Sequence, residues 1–351
     1  MIKTKIIHIL ITKIIPIVIL SFGFFLLLAM FGNAIPRKIH PRNSQAHTIN
    51  LGETSGNWEM LWKKSDIYFE GQPVTADDTF CYKTIRREIR LFSNSKVFLA
   101  CLDIHSGIEK WAGKAMAGVQ IASDHDQIYT GVGIKGFIAY NAENGEEMWR
   151  QSVKGRNLAD IVAYGGFVKA RVGGATGVYH VFDAATGAIQ DNNDVRSMSY
   201  YSFASDGQRQ FLKPSRYRIL SPSYWEESFK GQIRFRPILN DNRVFVRTNY
   251  VVGPIYALDA VTGHTLWGKE DVVSNVAVSN STAFYVTIDG EVMAVDAQTG
   301  ETVGRLKFNA EELVDIDTSD NTHYYVEAVD DMMFVYFGDT WQLFAFRFSQ
   351  E

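Results

Sequence analysis

Apolar and polar positions follow two different patterns along this chain. Ile14–Phe31 is almost wholly apolar, and no charged side chain occurs from Ile14 to Pro36. A run of about 20 apolar residues crosses a bilayer core as a helix. From about Asn57 the pattern changes to short runs rich in Val, Ile, Phe and Tyr, punctuated by Gly, Asp and Asn. That alternation predicts strands joined by tight turns. The stretch ending at Gly300 is the clearest: strands over Asn275–Ser279, Ala283–Thr287, Glu291–Val295 and Glu301–Leu306, with turns at Asp289-Gly290 and Asp296–Gly300. An Asp-Gly pair between apolar runs is a strong hairpin signal. In the second turn Asp and Thr side chains can bond turn backbone, and Gly accepts a positive φ. No long amphipathic helix pattern competes with strands after residue 57.

The same unit recurs. The pattern Ala-x-Asp-x-x-Thr-Gly-x-x-x-Trp is complete at Ala257, Asp259, Thr262, Gly263 and Trp267. Partial copies lie at Asp103, Ser106, Gly107 and Trp111; at Asn141, Asn144, Gly145 and Trp149; at Asp183, Thr186 and Gly187; and at Asp296, Thr299 and Gly300. Asp191 and Gly304 occupy the Trp place in the last two. The anchors step by 38, 42, 76 and 37 residues, so the double step should hide a degenerate copy, with remnants at Leu212–Leu220 and Tyr224–Phe229. A final copy ends at Leu343–Phe348. Seven copies over about 290 residues give roughly 42 each, the length of a four-stranded propeller blade.

The two ends explain each other. The last copy stops after its third strand, and an extra strand, Glu59–Lys64, precedes the first. Leu61-Trp62 matches Leu266-Trp267 of a fourth strand, so the N-terminal strand should complete the last sheet and remove an exposed edge. The expected fold is all-β, a seven-bladed β-propeller of four-stranded antiparallel blades over 57–349. A polar linker over 37–56 and one N-terminal transmembrane helix within 1–36 precede it.

This pattern resembles the PQQ-like β-propeller repeat family, named for pyrroloquinoline quinone, over about residues 57–349. The resemblance implies that Trp62, Trp111, Trp149 and Trp267 dock neighbouring blades, and that the turns at Asp103/Gly107, Asn141/Gly145, Asp183/Gly187, Asp259/Gly263 and Asp296/Gly300 are repeat turns. The family holds both quinoprotein dehydrogenases and non-enzymatic scaffolds, including outer-membrane assembly factors. The dehydrogenases have larger, eight-bladed rings and commonly an adjacent Cys pair against the cofactor. Here Cys81 and Cys101 are not adjacent. The expectation is a non-enzymatic, membrane-anchored member with no cofactor, PQQ included.

Charge and motifs narrow the chemistry. A formal net charge of −4 gives no reason to expect nucleic acid as a partner. Gly131-Val-Gly-Ile-Lys-Gly136 has the spacing of a dinucleotide loop but leads into the strand Phe137–Tyr140 rather than a helix. The eight His residues form no zinc spacing, and no Gly-x-Ser-x-Gly occurs. Asp315, Asp317, Ser319 and Asp320 lack the Gly and distal Glu of a calcium loop, so no metal site is assigned.

Lys3, Lys5 and Lys13 precede the apolar segment, while Arg37, Lys38 and Arg42 follow it. The basic lead and apolar run form an export pattern, placing the propeller outside the cytoplasm. Gly32 and Ala34 keep a cleaved signal peptide open as the alternative to a single-pass anchor. No Cys at the segment's end provides a lipidation site. Three departures from the repeat are candidate binding loops for a protein or small-molecule partner: Lys83–Lys96 with Arg86, Arg87 and Arg90; Phe308–His323 with Glu311, Glu312, Asp315 and Asp317; and Arg216–Trp225. The function classes carried forward are a binding scaffold, a quinoprotein-type oxidoreductase and an envelope assembly factor.

A disulfide between Cys81 and Cys101 is expected. Matching Phe80 to Phe284 puts Cys81 on Tyr285, and matching Asp103 to Asp296 puts Cys101 on Ala294. With a two-residue turn at Asp289-Gly290, Tyr285 faces Ala294. Directly opposed residues on antiparallel strands come close to bonding range.

Overall fold

The computed structural model describes residues 51–86, 96–132, 136–152, 158–172, 178–190, 203–205, 210–215, 218–221, 225–233, 235–249, 252–308, 324–338 and 340–349. The apolar segment within 1–36, linker residues 37–50, and Arg87, Arg90, Glu311, Glu312, Asp315 and Asp317 lie outside them. The described residues contain strands and turns and no helix.

Two strands open the described chain, β1 (Leu51–Ser55) and β2 (Asn57–Lys64). The first sheet holds β3 (Val74–Ala76), β4 (Thr79–Arg86), β5 (Lys96–Asp103) and β6 (Glu109–Lys114). The second holds β7 (Ala122–Asp124), β8 (Gln127–Val132), β9 (Gly136–Asn141) and β10 (Glu147–Ser152). The third holds β11 (Leu158–Tyr164), β12 (Phe167–Val172) and β13 (Val178–Asp183), with a Phe182–Ile189 bridge beside it. The fourth holds β14 (Phe203–Ser205), β15 (Gln210–Ser215), β16 (Arg218–Ser221) and β17 (Trp225–Ser228). The fifth holds β18 (Ile238–Asn240), β19 (Arg243–Arg247), β20 (Gly253–Asp259) and β21 (Thr265–Val272). The sixth holds β22 (Ala277–Ser279), β23 (Thr282–Val286), β24 (Val292–Asp296) and β25 (Thr302–Phe308), and the last holds β26 (Tyr324–Val329), β27 (Met332–Phe337) and β28 (Gln342–Ser349).

The last sheet is completed by β2, which pairs antiparallel with β28 and sets Trp62 opposite Ala345. Trp267 stands opposite Ala257 in the same way. First strands of neighbouring sheets touch: β3 meets β7, β7 meets β11, β14 meets β18, β18 meets β22, and β22 meets β26. Contact of β26 with β3 brings the last sheet to the first. Apolar side chains from facing sheets fill the spaces between them. One such layer joins Phe284 and Leu306 to Val335 and Phe346, and another joins Phe80 and Leu102 to Phe334 and Ala345.

Three expectations change. Leu51–Ser55 falls in the stretch read as linker, but it is a strand that adds to β25 as a fifth member of the sixth sheet. Leu51-Gly-Glu-Thr-Ser55 carries a single large apolar side chain and so shows no alternation, and composition alone reads as loop. The third sheet shows three strands among the described residues where four were expected, while the degenerate copy is a four-stranded sheet, β14 to β17, as expected. Finally, Thr287 N–H donates to Glu291 O and Gly290 N–H to Thr287 O, so the β23–β24 loop has three residues, Ile288–Gly290. Gly290 takes the left-handed position at φ +74° that a three-residue loop requires. Phe284, not Tyr285, therefore faces Ala294.

Cys81 and Cys101 face each other on β4 and β5 and are bonded, with Cα atoms 4.2 Å apart. The path from sequence to this pair contains two one-residue slips that cancel. Thr79 and Thr282 each face the anchor Asp, so Cys81 corresponds to Phe284 rather than Tyr285. The loop in the sixth sheet is one residue longer than its Asp-Gly pair suggests, and that moves the facing residue by the same amount.

Candidate functional site

The anchor turns are built alike. Asp183 Oδ1 accepts from Thr186 N–H at 2.8 Å and from its hydroxyl at 2.7 Å. Asp259 and Asp296 are capped by Thr262 and Thr299, Asp103 by Ser106, and Asn141 by Asn144 N–H. The Thr186 hydroxyl, then its N–H, holds the Asp183 carboxyl below its usual range. Each turn ends on a glycine with φ between +67° and +77°: Gly107, Gly145, Gly187, Gly263 and Gly300.

A tryptophan from the preceding sheet lies on each of those glycines. Trp62 sits on Gly107, Trp111 on Gly145, Trp149 on Gly187, Trp225 on Gly263 and Trp267 on Gly300. Their indole N–H groups donate to Ile104 O, Ala142 O, Ala184 O, Ala260 O and Ala297 O at 2.7–3.1 Å. Trp225 was not singled out among the docking tryptophans, because its own sheet lacks the Asp-x-x-Thr-Gly turn. A signal existed: Trp225 precedes Gly263 by the same 38 residues that separate Trp149 from Gly187. Between the sixth and last sheets Gly304 replaces Trp, and Phe348 packs on it with Trp58 tilted against Phe348 at 4.5 Å.

The segment leading from β17 into β18 makes long-range contacts. Arg236 donates to Gln120 Oε1 at 3.2 Å and to Ile161 O at 2.8 Å, and Phe235 packs edge-on against Tyr325 at 6.2 Å. It therefore touches the approaches to the second, third and last sheets. Beside it opens a cavity of about 300 Å³, where the chain entering β3, the chain entering β7, and β26 converge. Its lining includes Phe69, Glu70, Lys83, Gln120, Phe235 and Tyr325. Glu70 Oε1 accepts from Gly118 N–H at 2.8 Å and lies 4.0 Å from Lys83 Nζ. Burial lowers the Lys83 pKa, and the Glu70 carboxylate partly offsets this.

Lys83 belongs to a recurring set. Thr79, Phe167 and Arg243 face the anchor Asp of their sheets, and four residues further on stand Lys83, Arg171 and Arg247. All three are buried. Arg247 donates to Val272 O at 2.7 Å and lies over the Phe235 ring. Near the contact of β26 with β3, Thr75 donates to Glu327 at 3.2 Å. Glu327 is half-buried, and desolvation pushes its carboxyl up to about 8 against the opposing pull of Thr75 and Arg236. Of the residues expected in binding loops, Arg86 ends β4, and Trp225 is engaged at a sheet junction. Glu70, Phe235 and Tyr325 were not anticipated, because they come from irregular or inner segments far apart in the chain.

Cys81 and Cys101 are bonded to each other within the first sheet and packed among Ile121, Ile128 and Ile138, and neither lines the cavity.

Among curated proteins, outer membrane protein assembly factor BamB of Francisella salina is 39% identical over 61 residues, which is 16% of this chain and 12% of that relative. The aligned part thus spans about an eighth of the relative's length. Among solved structures, BamB from Moraxella catarrhalis superposes with a TM-score of 0.51 at 13% identity, covering 84% of this chain and 99% of that one. The computationally designed Ika8 protein superposes with a TM-score of 0.51 at 12% identity, covering 83% and 100%. The likeness to these structures establishes the β-propeller fold. A PQQ-like repeat family described as outer membrane protein assembly factor BamB matches residues 93–213 and 253–340, more than half of the sequence, and this chain belongs to that family.

Proposed function

We propose that this chain is a non-catalytic, seven-bladed scaffold outside the cytoplasm that binds envelope proteins during their assembly. The observation that carries this reading is the family match, which runs through copies on both sides of the degenerate sheet. The seven sheets and the contact of β26 with β3 support a closed ring. A buried disulfide suits an oxidising compartment outside the cytoplasm. In this reading the Ile14–Phe31 segment stays attached as a single-pass anchor, doing the work a lipid does for other envelope factors, and no PQQ is required.

Capture tests the partner. The full chain, carrying a photo-crosslinking residue at exposed Tyr68, is expressed in its membranes, irradiated and purified from detergent. The expected adducts are nascent or folded outer-membrane proteins, or the machinery that inserts them. Adducts confined to unrelated cytoplasmic proteins refute the scaffold reading. Dye reduction on adding PQQ with calcium points to the oxidoreductase instead. An alkaline phosphatase fusion after Glu351 should be active, and a mature N-terminus near Ile35 would replace the anchor by a signal peptide.

A further inference from the structure

We propose that the cavity beside Phe235 binds a ligand that carries a carboxylate next to an N–H donor, with the carboxylate on Lys83 and the donor on Glu70. Free amino acids and the C-terminal residue of a polypeptide share this chemistry. Like the ring's closure, the site is a property of the fold, and it goes beyond the scaffold reading because it needs no protein partner.

Two charged groups in the cavity wall are under-satisfied. The Lys83 side chain is 3% exposed, yet among the described residues its ammonium reaches Met116 O only at 3.5 Å and Glu70 Oε1 at 4.0 Å. A well-made ammonium–carboxylate hydrogen bond is about 2.7–2.9 Å, and an ammonium has three protons to place. Glu70 Oε1 is already engaged by Gly118 N–H, whereas Glu70 Oε2 is buried with no hydrogen-bond partner among the described residues. Leaving charged groups buried and partly unpaired is costly, so such pairs are normally closed up or completed by a ligand. Glu70 and Lys83 both line the same cavity.

The chemistry of the lining selects among ligands. A phosphate or other bare anion would satisfy Lys83 but meet the Glu70 carboxylate. A metal cation would meet the Lys83 ammonium and find a single carboxylate. A neutral polyol would bring hydrogen bonds but no charge to either group. A group with an acceptor and a donor one carbon apart serves both at once. The walls suit an apolar side chain on that carbon. Phe69 is fixed between Tyr336, stacked at 4.0 Å, and Tyr82, stacked at 4.5 Å. Phe235 is braced against Tyr325. The pocket is therefore preformed, and its volume is at the small end of ligand sites.

Titration calorimetry and thermal shift on the full chain in detergent test this with three probes: L-leucine, N-acetylglycyl-L-leucine, and N-acetylglycyl-L-leucinamide. At least one of the two carboxylates is expected to bind and raise the melting temperature, and the amide to do neither. Binding of leucine alone identifies a free amino acid as the source, and binding of the acetylated dipeptide identifies a chain terminus. Lys83→Met and Glu70→Gln should each weaken binding by about tenfold or more, a loss of about 1.4 kcal/mol. The unliganded melting temperature of each variant shows that the ring is intact. Should Lys83→Met fail to fold, Glu70→Gln, which keeps size and shape, still decides. The proposal is overturned if neither carboxylate binds at millimolar concentration, if the amide binds equally, or if both folded variants bind like the parent.

Discussion

Trp62→Ala should loosen the junction at which the last sheet meets the first. The Trp62 indole donates to Ile104 O at 2.7 Å and lies on Gly107, where an added Cβ would sit 2.6 Å from ring atom Cδ2. Removing a packed Trp costs about 3–5 kcal/mol, and Trp62 is only partly buried, so about 3 kcal/mol is expected. In a domain of this size that is a drop of roughly 5 °C in Tm. A cycle with Gly107→Ala makes the test specific. Alone, that substitution meets the indole and also takes a non-glycine residue to φ +67°, a backbone strain of about 1–2 kcal/mol. With Trp62 already gone, only the strain remains. The two substitutions should therefore be non-additive by roughly 2–3 kcal/mol, as expected for groups in contact. Urea unfolding followed by far-ultraviolet circular dichroism measures all four corners of the cycle. Additivity within about 0.5 kcal/mol would refute the seating of Trp62 on Gly107.

Replacing Cys81 and Cys101 together with Ser should lower stability by about 3 kcal/mol for the 20-residue separation they span, and the intact mass of the unsubstituted protein after alkylation without reductant should show no added groups; two added groups would mean free thiols. Glu327→Gln should stabilise the protein at pH 8 and make no difference at pH 4. The folded-state pKa of about 8 lies above the ordinary 4.5, so the ionised carboxyl destabilises progressively as pH rises between those values; a constant difference in Tm across that range would contradict the burial argument. Deleting 57–64 should unfold or oligomerise the domain, because β28 loses its partner, whereas deleting 51–55 should cost little, since β1 only adds to an edge; size-exclusion chromatography that treats the two truncations alike would count against the pairing.

What could be read from the sequence was whatever repeats. Asp-x-x-Thr-Gly turns and tryptophans recur because every junction poses the same problem, an indole lying where any Cβ would collide. The fourth sheet escaped full recognition because its turn is lost while its Trp225 is kept for the neighbour's Gly263. Register within a hairpin was less legible than the strands themselves. An Asp-Gly pair does not reveal that Ile288 belongs to the loop, where its N–H donates to Asp271 O from another sheet. The cavity was invisible for a different reason. Glu70, Lys83, Phe235 and Tyr325 share no motif, and only the convergence of first strands brings them together.

The pairing of β2 with β28 also has a kinetic consequence. Glu59 and Arg347 form an ion pair across 288 positions of chain. During synthesis β2 is made first and has no partner until nearly the last residue of the domain has appeared. Contacts of such sequence separation demand their loop-closure entropy before they return any stabilisation, so they form late and slowly. In the interval β2 and the edge awaiting it are both open to pairing with other chains. A ribosome-stalled or proteolytically shortened chain lacking the final strand should thus be an aggregation-prone species, and the yield of folded protein should depend on chaperones that shield an N-terminal strand until the C-terminus arrives.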